Sequence, residues 1–400
     1  MEPYNQTMEY AHNLTTFALL IATMGMLSLS IPVLLLGAAN RSAKVPLVSF
    51  LLFSGLANGL PALIEFYPPL ELYGLAIFLP CYLLVPASLW LYVQAITSPI
   101  PWRFSKPQIK HFVPACLALM VSSMLVALPR ETLANLFIND NASPISFEAE
   151  LIVLCAFALL VLWVLLSAMY VIKILLKLTR YRIRLKELFA NNEQRELLWL
   201  SWVVLVLAIT WLVSLLYSIP LLTNQALPLP IEIIGFMHFC LLWLMSLFGI
   251  KQQPGFEGRY LKPEKDTQQT QVDNETLAKK YQKSGLGDQQ LQRIADKVEN
   301  AMSSKKLYLD PSLSLMKLAS ETQVSANYLS QVLNEHIGKS FFDYINSLRI
   351  QHAIPEVVAA EKTILDIAMD TGFNARSSFY KAFKNETGLT PSEYRIQKSM

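Results

Sequence analysis

Charge is what this sequence has least of. Only 16% of its 400 residues are Asp, Glu, Lys or Arg, against about a quarter in ordinary soluble chains. The shortfall is local. Residues 1–250 hold 13 Lys and Arg and 12 Asp and Glu, whereas residues 251–400 hold 20 and 18. A greasy first part is therefore joined to a second part of soluble composition. Neither part has an excess of one sign, since the sums are +1 and +2. Bulk positive charge, the usual advertisement of nucleic-acid binding, is missing as well.

Cysteine is scarce. Cys81, Cys116, Cys155 and Cys240 each sit in an apolar run, with no C-x-x-C pair and no metal-ligand spacing. They read as small buried hydrophobes, so neither a disulfide framework nor a metal site is expected. Catalytic constellations are lacking too. Ser54-Gly55 with His238 would suit an intramembrane serine protease, but those sites use G-x-S-G, and Leu52 stands where the first glycine belongs. No Gly-rich nucleotide box and no His-bearing phosphotransfer segment occurs. An enzyme, a phosphorelay and a bound cofactor are all left without support.

Long apolar runs are abundant. A spanning helix needs about 20 apolar residues, and seven runs qualify: Phe17–Leu36, Leu47–Phe66, Tyr73–Ile96, His111–Leu128, Leu151–Ile174, Leu197–Leu222 and Ile231–Ile250. Met1–Asn13 has two Glu and no Lys or Arg, the reverse of a secretory n-region, so the first run is expected to be a span. Lys and Arg in short loops stay on the cytoplasmic side. The first, third and fifth loops carry twelve of them, from Arg41 and Lys44 to the cluster Lys173–Arg195. The N-terminus and the other loops carry only Arg130. The expected topology is a seven-span domain over 1–250 in the bacterial inner membrane, N-terminus outside and C-terminus in the cytoplasm.

No span has an Asp, Lys or Arg at its centre, so transport is unsupported. Pro80 and Pro86 fall inside the third span and could kink it. Glu65, Tyr67, Glu71, Tyr73, Tyr217, Asn224 and Glu232 all map to the outer third. They form a candidate mouth for a signal whose identity the sequence does not give, although interfacial Tyr and Glu also occur simply to meet water.

Beyond Ile250, residues 251–287 read as a flexible cytoplasmic linker; Lys262–Glu275 has no aromatic and one aliphatic residue, Val272. Over 288–303, Leu291, Ile294, Ala295, Val298 and Met302 share one helical face. That helix is expected to pack on the domain that follows, with dimerisation as the alternative.

Two similar units then appear. In the first, Leu315, Leu318 and Ala319 give a short apolar face, Gln323-Val324-Ser325 a tight turn, and Ser325 an N-cap. The next helix is expected to bury Tyr328, Leu329, Val332 and Leu333 and leave Asn327, Ser330, Gln331 and Asn334 outward. In the second, Thr363 caps a helix with Ile364, Ile367 and Ala368, and Gly372 sits in the turn. Phe373, Phe379 and Phe383 are the buried side of the helix after it. Arg376, Ser377, Tyr380, Lys381 and Lys384 are left outward; Gly388 ends the helix and Pro391 starts the last one.

Ile367-Ala368, Gly372-Phe373, Ser377, Phe379, Phe383-Lys384, Gly388, Thr390-Pro391 and Tyr394-Arg395 match the signature of the AraC/XylS family of bacterial transcription regulators. The first unit matches through Leu318-Ala319, Ser325, Tyr328-Leu329, Gly338, Phe341, Tyr344 and Arg349. The chain resembles that family over residues 300–398 only. The resemblance implies two helix-turn-helix units joined by a long helix, about Ser340 to Ala360, whose recognition helices enter successive major grooves of promoter DNA. Those helices begin about 49 residues apart here. Pro355 inside the joining helix departs from ideal helix chemistry, and the first recognition helix carries no Lys or Arg.

The fold expected is therefore all-α: seven spans, then a cytoplasmic domain with two helix-turn-helix units. The function expected is a membrane-embedded one-component regulator, the alternative being a transporter or channel with a regulatory DNA-binding tail. Double-stranded promoter DNA and the lipid bilayer are the expected partners. RNA polymerase, a signal and a second copy of the chain are candidate partners. By side-chain chemistry the first unit should favour A·T pairs and the second, through Arg376 and Lys381, a G.

Overall fold

A computed structural model of the chain describes residues 2–36, 41–99, 102–137, 146–192, 195–223, 232–252 and 287–399. The described residues are helical, with no strand among them. They divide into two units, the first of residues 1–178 with 197–259 and the second of 179–196 with 260–400.

The first unit contains α1 (Glu2–Leu36), α2 (Arg41–Phe66), α3 (Glu71–Ile96), α4 (Val113–Val126), α5 (Arg130–Phe137), the first three-quarters of α6 (Phe147–Leu188), α7 (Leu198–Thr223) and α8 (Glu232–Lys251). Among the described residues six helical stretches are long and apolar enough to cross a membrane, and Leu198–Val213 in α7 is a shorter apolar one. Helix α3 runs through both Pro80 and Pro86 to Ile96. Helix α5 lies in what the sequence reads as a plain fourth loop.

The interior is filled by α3, α4 and α6, where Leu79, Leu83, Ala115, Ala118, Val121, Ala156 and Leu159 pack together. Tyr82 and Trp163 meet across it with ring centroids 4.8 Å apart. The outside is apolar as well: Leu36 is 83% exposed and Trp202 67%, with Leu154, Phe157 and Leu165 also exposed. Helices apolar on all sides are compatible with an apolar surrounding. This also corrects the expectation that all four cysteines are buried. Cys81 is buried and Cys240 half-buried, but Cys116 and Cys155 are exposed. On an all-round apolar helix, apolar neighbours in sequence do not imply an inward position.

The second unit starts with the end of α6 and continues, among the described residues, as α9 (Asp288–Lys305), α10 (Leu315–Thr322), α11 (Ala326–Gln331), α12 (Phe341–Ala359), α13 (Ile364–Asp370), α14 (Arg376–Thr387) and α15 (Pro391–Ser399). Helix α9 buries Ile294, Val298 and Met302 against Leu318, Leu329, Val332, Leu333, Phe341 and Ile345. Its apolar stripe thus packs on the domain that follows. A second core holds Ile350, Ala353, Val357, Ile367, Ala368, Phe373, Phe379 and Phe383. Helix α12 contributes to both cores and passes through Pro355 unbroken. Ser340 caps its start by accepting from Asp343 N at 3.1 Å, and Ala360 closes it with φ of 57°.

Candidate nucleic-acid interface

In the first helix-turn-helix unit, side-chain caps set the turn. Ser314 Oγ accepts from Lys317 N at the start of α10, and Ser325 Oγ accepts from Tyr328 N at the start of α11. Between them Gln323 adopts φ of 53°, an uncommon left-handed conformation outside glycine. Beyond Gln331 the recognition helix widens, and Val332–Ile337 is a π-helical turn ended by Gly338. Asn327 and Asn334 are exposed and Ser330 half-buried, and Asn334 Nδ2 donates to Ser330 Oγ at 3.3 Å.

Two positions on α11 differ from expectation. Gln331, expected outward, is only 6% exposed and donates from Nε2 to Glu335 Oε2 at 2.8 Å. Tyr328, expected inward, is 39% exposed. A neutral amide can be buried once its hydrogen bonds are met, and a tyrosine can keep its ring against the helix while its hydroxyl reaches water. The hydrophobic pattern alone cannot separate the two.

The second unit keeps its expected faces except at Tyr380, expected outward but half-buried and packed against the second core. Thr363 caps α13 by accepting from Asp366 N at 3.1 Å. Gly372 has φ of +88°, and a Cβ there would lie 2.6 Å from the Leu309 carbonyl oxygen, so only glycine fits. Gly388 closes α14 at φ of +79°. Thr390 and Glu393 cap α15 reciprocally, at 2.8 and 3.3 Å. Phe373, Phe379, Phe383 and Tyr394 form a chain of ring contacts, with centroids 5.4 to 5.6 Å apart. Arg376, Ser377, Lys381 and Lys384 are exposed and Tyr380 half-buried. Arg376 Nη2 donates to the Tyr380 hydroxyl at 2.7 Å and the guanidinium lies 4.8 Å over that ring. The contact with Ser392, together with Arg376, holds the Tyr380 phenol below its ordinary range.

One functional arrangement was not foreseen from the sequence. Arg349 of α12 is fully buried between the two cores. Its Nε donates to Tyr308 O at 2.6 Å and its Nη2 to Asp310 O at 2.9 Å. Its Nη1 donates to Asn191 Oδ1 at 3.1 Å and to Asn346 Oδ1 at 3.3 Å. Burial pulls the guanidinium down to about 10, partly offset by nearby Asp310, so it stays cationic at neutral pH. Among the described residues no carboxylate bonds it directly; carbonyl and amide oxygens hold the charge.

Of the candidate signal-binding residues, Tyr67 and Glu71 are exposed and Tyr73 is half-buried against Leu72, Ala76 and Leu125. The side chains of Glu65, Tyr217 and Glu232, and Asn224 altogether, lie outside the described residues. His238, weighed for catalysis, turns its Nδ1 back to Ile234 O of its own helix at 3.3 Å.

A family described as a helix-turn-helix domain matches residues 318–397. The C-terminal part of the chain is an AraC-type helix-turn-helix domain. An uncharacterized HTH-type transcriptional regulator of Staphylococcus aureus (strain COL) is 35% identical over 100 residues, 25% of this chain and 13% of that one. The melibiose operon regulatory protein of Escherichia coli (strain K12) is 31% identical over 86 residues, 22% of this chain and 28% of its own. The chain thus spans only about an eighth to a quarter of the length of these relatives. Among solved structures, a protein of unknown function from Listeria innocua is 30% identical, with 25% of this chain and 95% of that one covered and a TM-score of 0.23. The C-terminal domain of AraT, a response regulator from Geobacillus stearothermophilus, is 26% identical over 28% of this chain and 88% of its own, with a TM-score of 0.24.

Proposed function

We propose that the chain is a membrane-embedded, one-component transcription regulator of the bacterial inner membrane. Residues 1–250 span the bilayer seven times, 251–287 link, 288–303 connect, and 300–398 bind promoter DNA in the cytoplasm. The observation that carries the reading is the AraC-type domain with two outward recognition faces, joined to helices apolar on every side. Asn327, Ser330 and Asn334 read base edges in one major groove, flanked by the exposed Tyr328. Arg376, Ser377, Tyr380, Lys381 and Lys384 read bases and neutralise phosphates in the next. Gln331 supports the first helix from within instead of touching DNA. A signal reaches the membrane domain from outside, with the mouth at Glu65, Tyr67, Glu71, Tyr73, Tyr217, Asn224 and Glu232.

Genome-wide mapping of sites bound by the full-length chain tests the DNA half, and the expected result is a small set of promoters sharing a two-groove motif. An absence of enriched promoters would overturn it. Reporter fusions test the membrane half. Fusions after Ser42, Ser105 and Arg184 should read cytoplasmic, and those after Pro69, Ala142 and Gln225 external. One swapped pair would break the seven-span topology.

A further inference from the structure

Helix α6 is 42 residues long, about 63 Å at 1.5 Å per residue, roughly twice the thickness of a bilayer's hydrocarbon core. Its apolar part, Leu151–Ile174, is followed by Lys177, Arg180, Arg182, Arg184 and Lys186 on the same helix. Residues up to Leu178 belong to the first unit, and those from Thr179 belong to the same compact unit as the DNA-binding domain. One continuous helix therefore has a foot in each.

The end of that helix is built into the DNA-binding domain. Lys186 Nζ lies 5.7 Å over the Phe342 ring at the start of α12. Phe189 pairs with Ser314 as an isolated antiparallel bridge, and Ala190 N donates to Leu313 O at 3.3 Å. Ala190 is fully buried in the first helix-turn-helix core, with Leu188 packed against it. Asn191 then touches both units. Its Nδ2 donates to Pro311 O at 2.6 Å, before α10, and to Gly372 O at 3.1 Å, in the turn of the second unit. Its Oδ1 accepts from Arg349, the buried cation of the joining helix. Asn192 is 1% exposed and its amide finds no hydrogen-bond partner among the described residues.

We propose that Asn191 is a positioning residue for DNA binding, a clamp from the membrane helix that sets the two helix-turn-helix units relative to one another. The proposal rests on the regulator reading above. Through it, a shift of α6 in the bilayer changes how well both recognition helices fit DNA at once, without touching either face. Residues 251–287 need not carry the signal.

The test uses the full-length chain in nanodiscs and two variants, Asn191→Ala and Asn191→Asp. Aspartate keeps an acceptor for Arg349 but has no N–H for Pro311 O and Gly372 O. Binding is measured on a duplex carrying the operator mapped with the wild-type chain, and on the same duplex with either half scrambled. Hydrogen–deuterium exchange is followed at 307–313 and 371–373. Both variants should lose about tenfold in affinity for the intact operator, Asn191→Ala through the charged bond to Arg349 and Asn191→Asp through the two bonds to carbonyl oxygens, and leave the half-operator affinities unchanged. Exchange in both segments should rise. A parallel fall on all three duplexes would mean mere destabilisation and would overturn the proposal, as would an unchanged intact operator. If the wild-type chain binds no specific DNA, the regulator reading fails separately. Exchange then decides the clamp: raised at both segments it stands, unchanged it falls.

Discussion

The two helix-turn-helix units share one design and are stabilised differently. The first has a mainly aliphatic core that is incomplete by itself. Its helices α10 and α11 are short, and Ile294, Val298 and Met302 of α9 and Ala190 after α6 fill the space beside them. The second is closed by its own aromatic rings, Phe373, Phe379, Phe383 and Tyr394, with α12 as the wall. Their outer faces differ in the same sense. The first presents neutral amides and hydroxyls, the second Arg376, Lys381 and Lys384. The unit that depends on its surroundings thus carries the neutral face, and the self-sufficient unit carries the charge. Under the proposed function, this division would let the charged unit hold DNA while the dependent unit is engaged or released.

Truncating the cores breaks the comparison most strongly. Phe383→Ala should cost about 3–5 kcal/mol and Leu329→Ala about 2–5 kcal/mol, both side chains being fully buried. What separates them is spread. Leu329→Ala should raise hydrogen exchange in α9 and residues 188–190 as well as α10, because these share one core. Phe383→Ala should loosen α13 to α15 and leave α9 protected. Loss of protection across all of these helices in both variants would show one cooperative core and end the distinction.

Much of this was legible because it is local. Ser325, Thr363, Gly388 and Pro391 each act within a few residues of themselves, so caps and turns follow from spacing; at Gly372 the turn was legible but the close approach to Leu309 was not. The aromatic face of α14 and the stripe of α9 follow from helical period. The exchange of Gln331 and Tyr328 did not follow, since an amphipathic side chain can lie either way on one pattern. Asn191 was out of reach for another reason. Its partners stand 120, 158 and 181 residues away, and two adjacent asparagines after a basic stretch read as any loop. Arg349 was visible as a family position, but not as a buried cation held by backbone oxygens.

The outer faces sharpen the comparison at smaller cost. Asn327→Ala should weaken the intact operator by about 1–3 kcal/mol and leave random DNA nearly unchanged, because a neutral amide discriminates bases without attracting phosphate. Lys384→Ala should weaken operator and random DNA alike and reduce the slope of affinity against salt by about one unit. Gln331→Ala, buried and bonded to Glu335, should behave as a packing mutation, lowering the melting temperature instead of relaxing base preference. Equal salt slopes for Asn327→Ala and Lys384→Ala would remove the chemical contrast between the units.

The smallest effect concerns the turn between α9 and α10, and it separates the units by pH. Asp310 Oδ1 accepts from Ser312 N and Ser312 Oγ, both at 2.8 Å, and Oδ2 accepts from Lys317. Partial burial pushes this carboxyl up, but the bonds from Lys317 and Ser312 outweigh it and hold the group below its ordinary 3.8. A carboxyl lowered in the folded state stabilises the fold above its unfolded value, and that contribution is lost as pH falls through the lower folded one. Asp310→Asn should therefore melt below wild type at pH 6, and the gap should narrow below pH 3.8. Phe383→Ala removes no carboxylate or imidazole from its core and should keep the same deficit at both pH values. Thermal unfolding of the full-length chain at pH 6 and pH 3 distinguishes them. If the Asp310→Asn gap stayed constant, its carboxylate would act through shape alone, and the first unit would be no more sensitive to acid than the aromatic one.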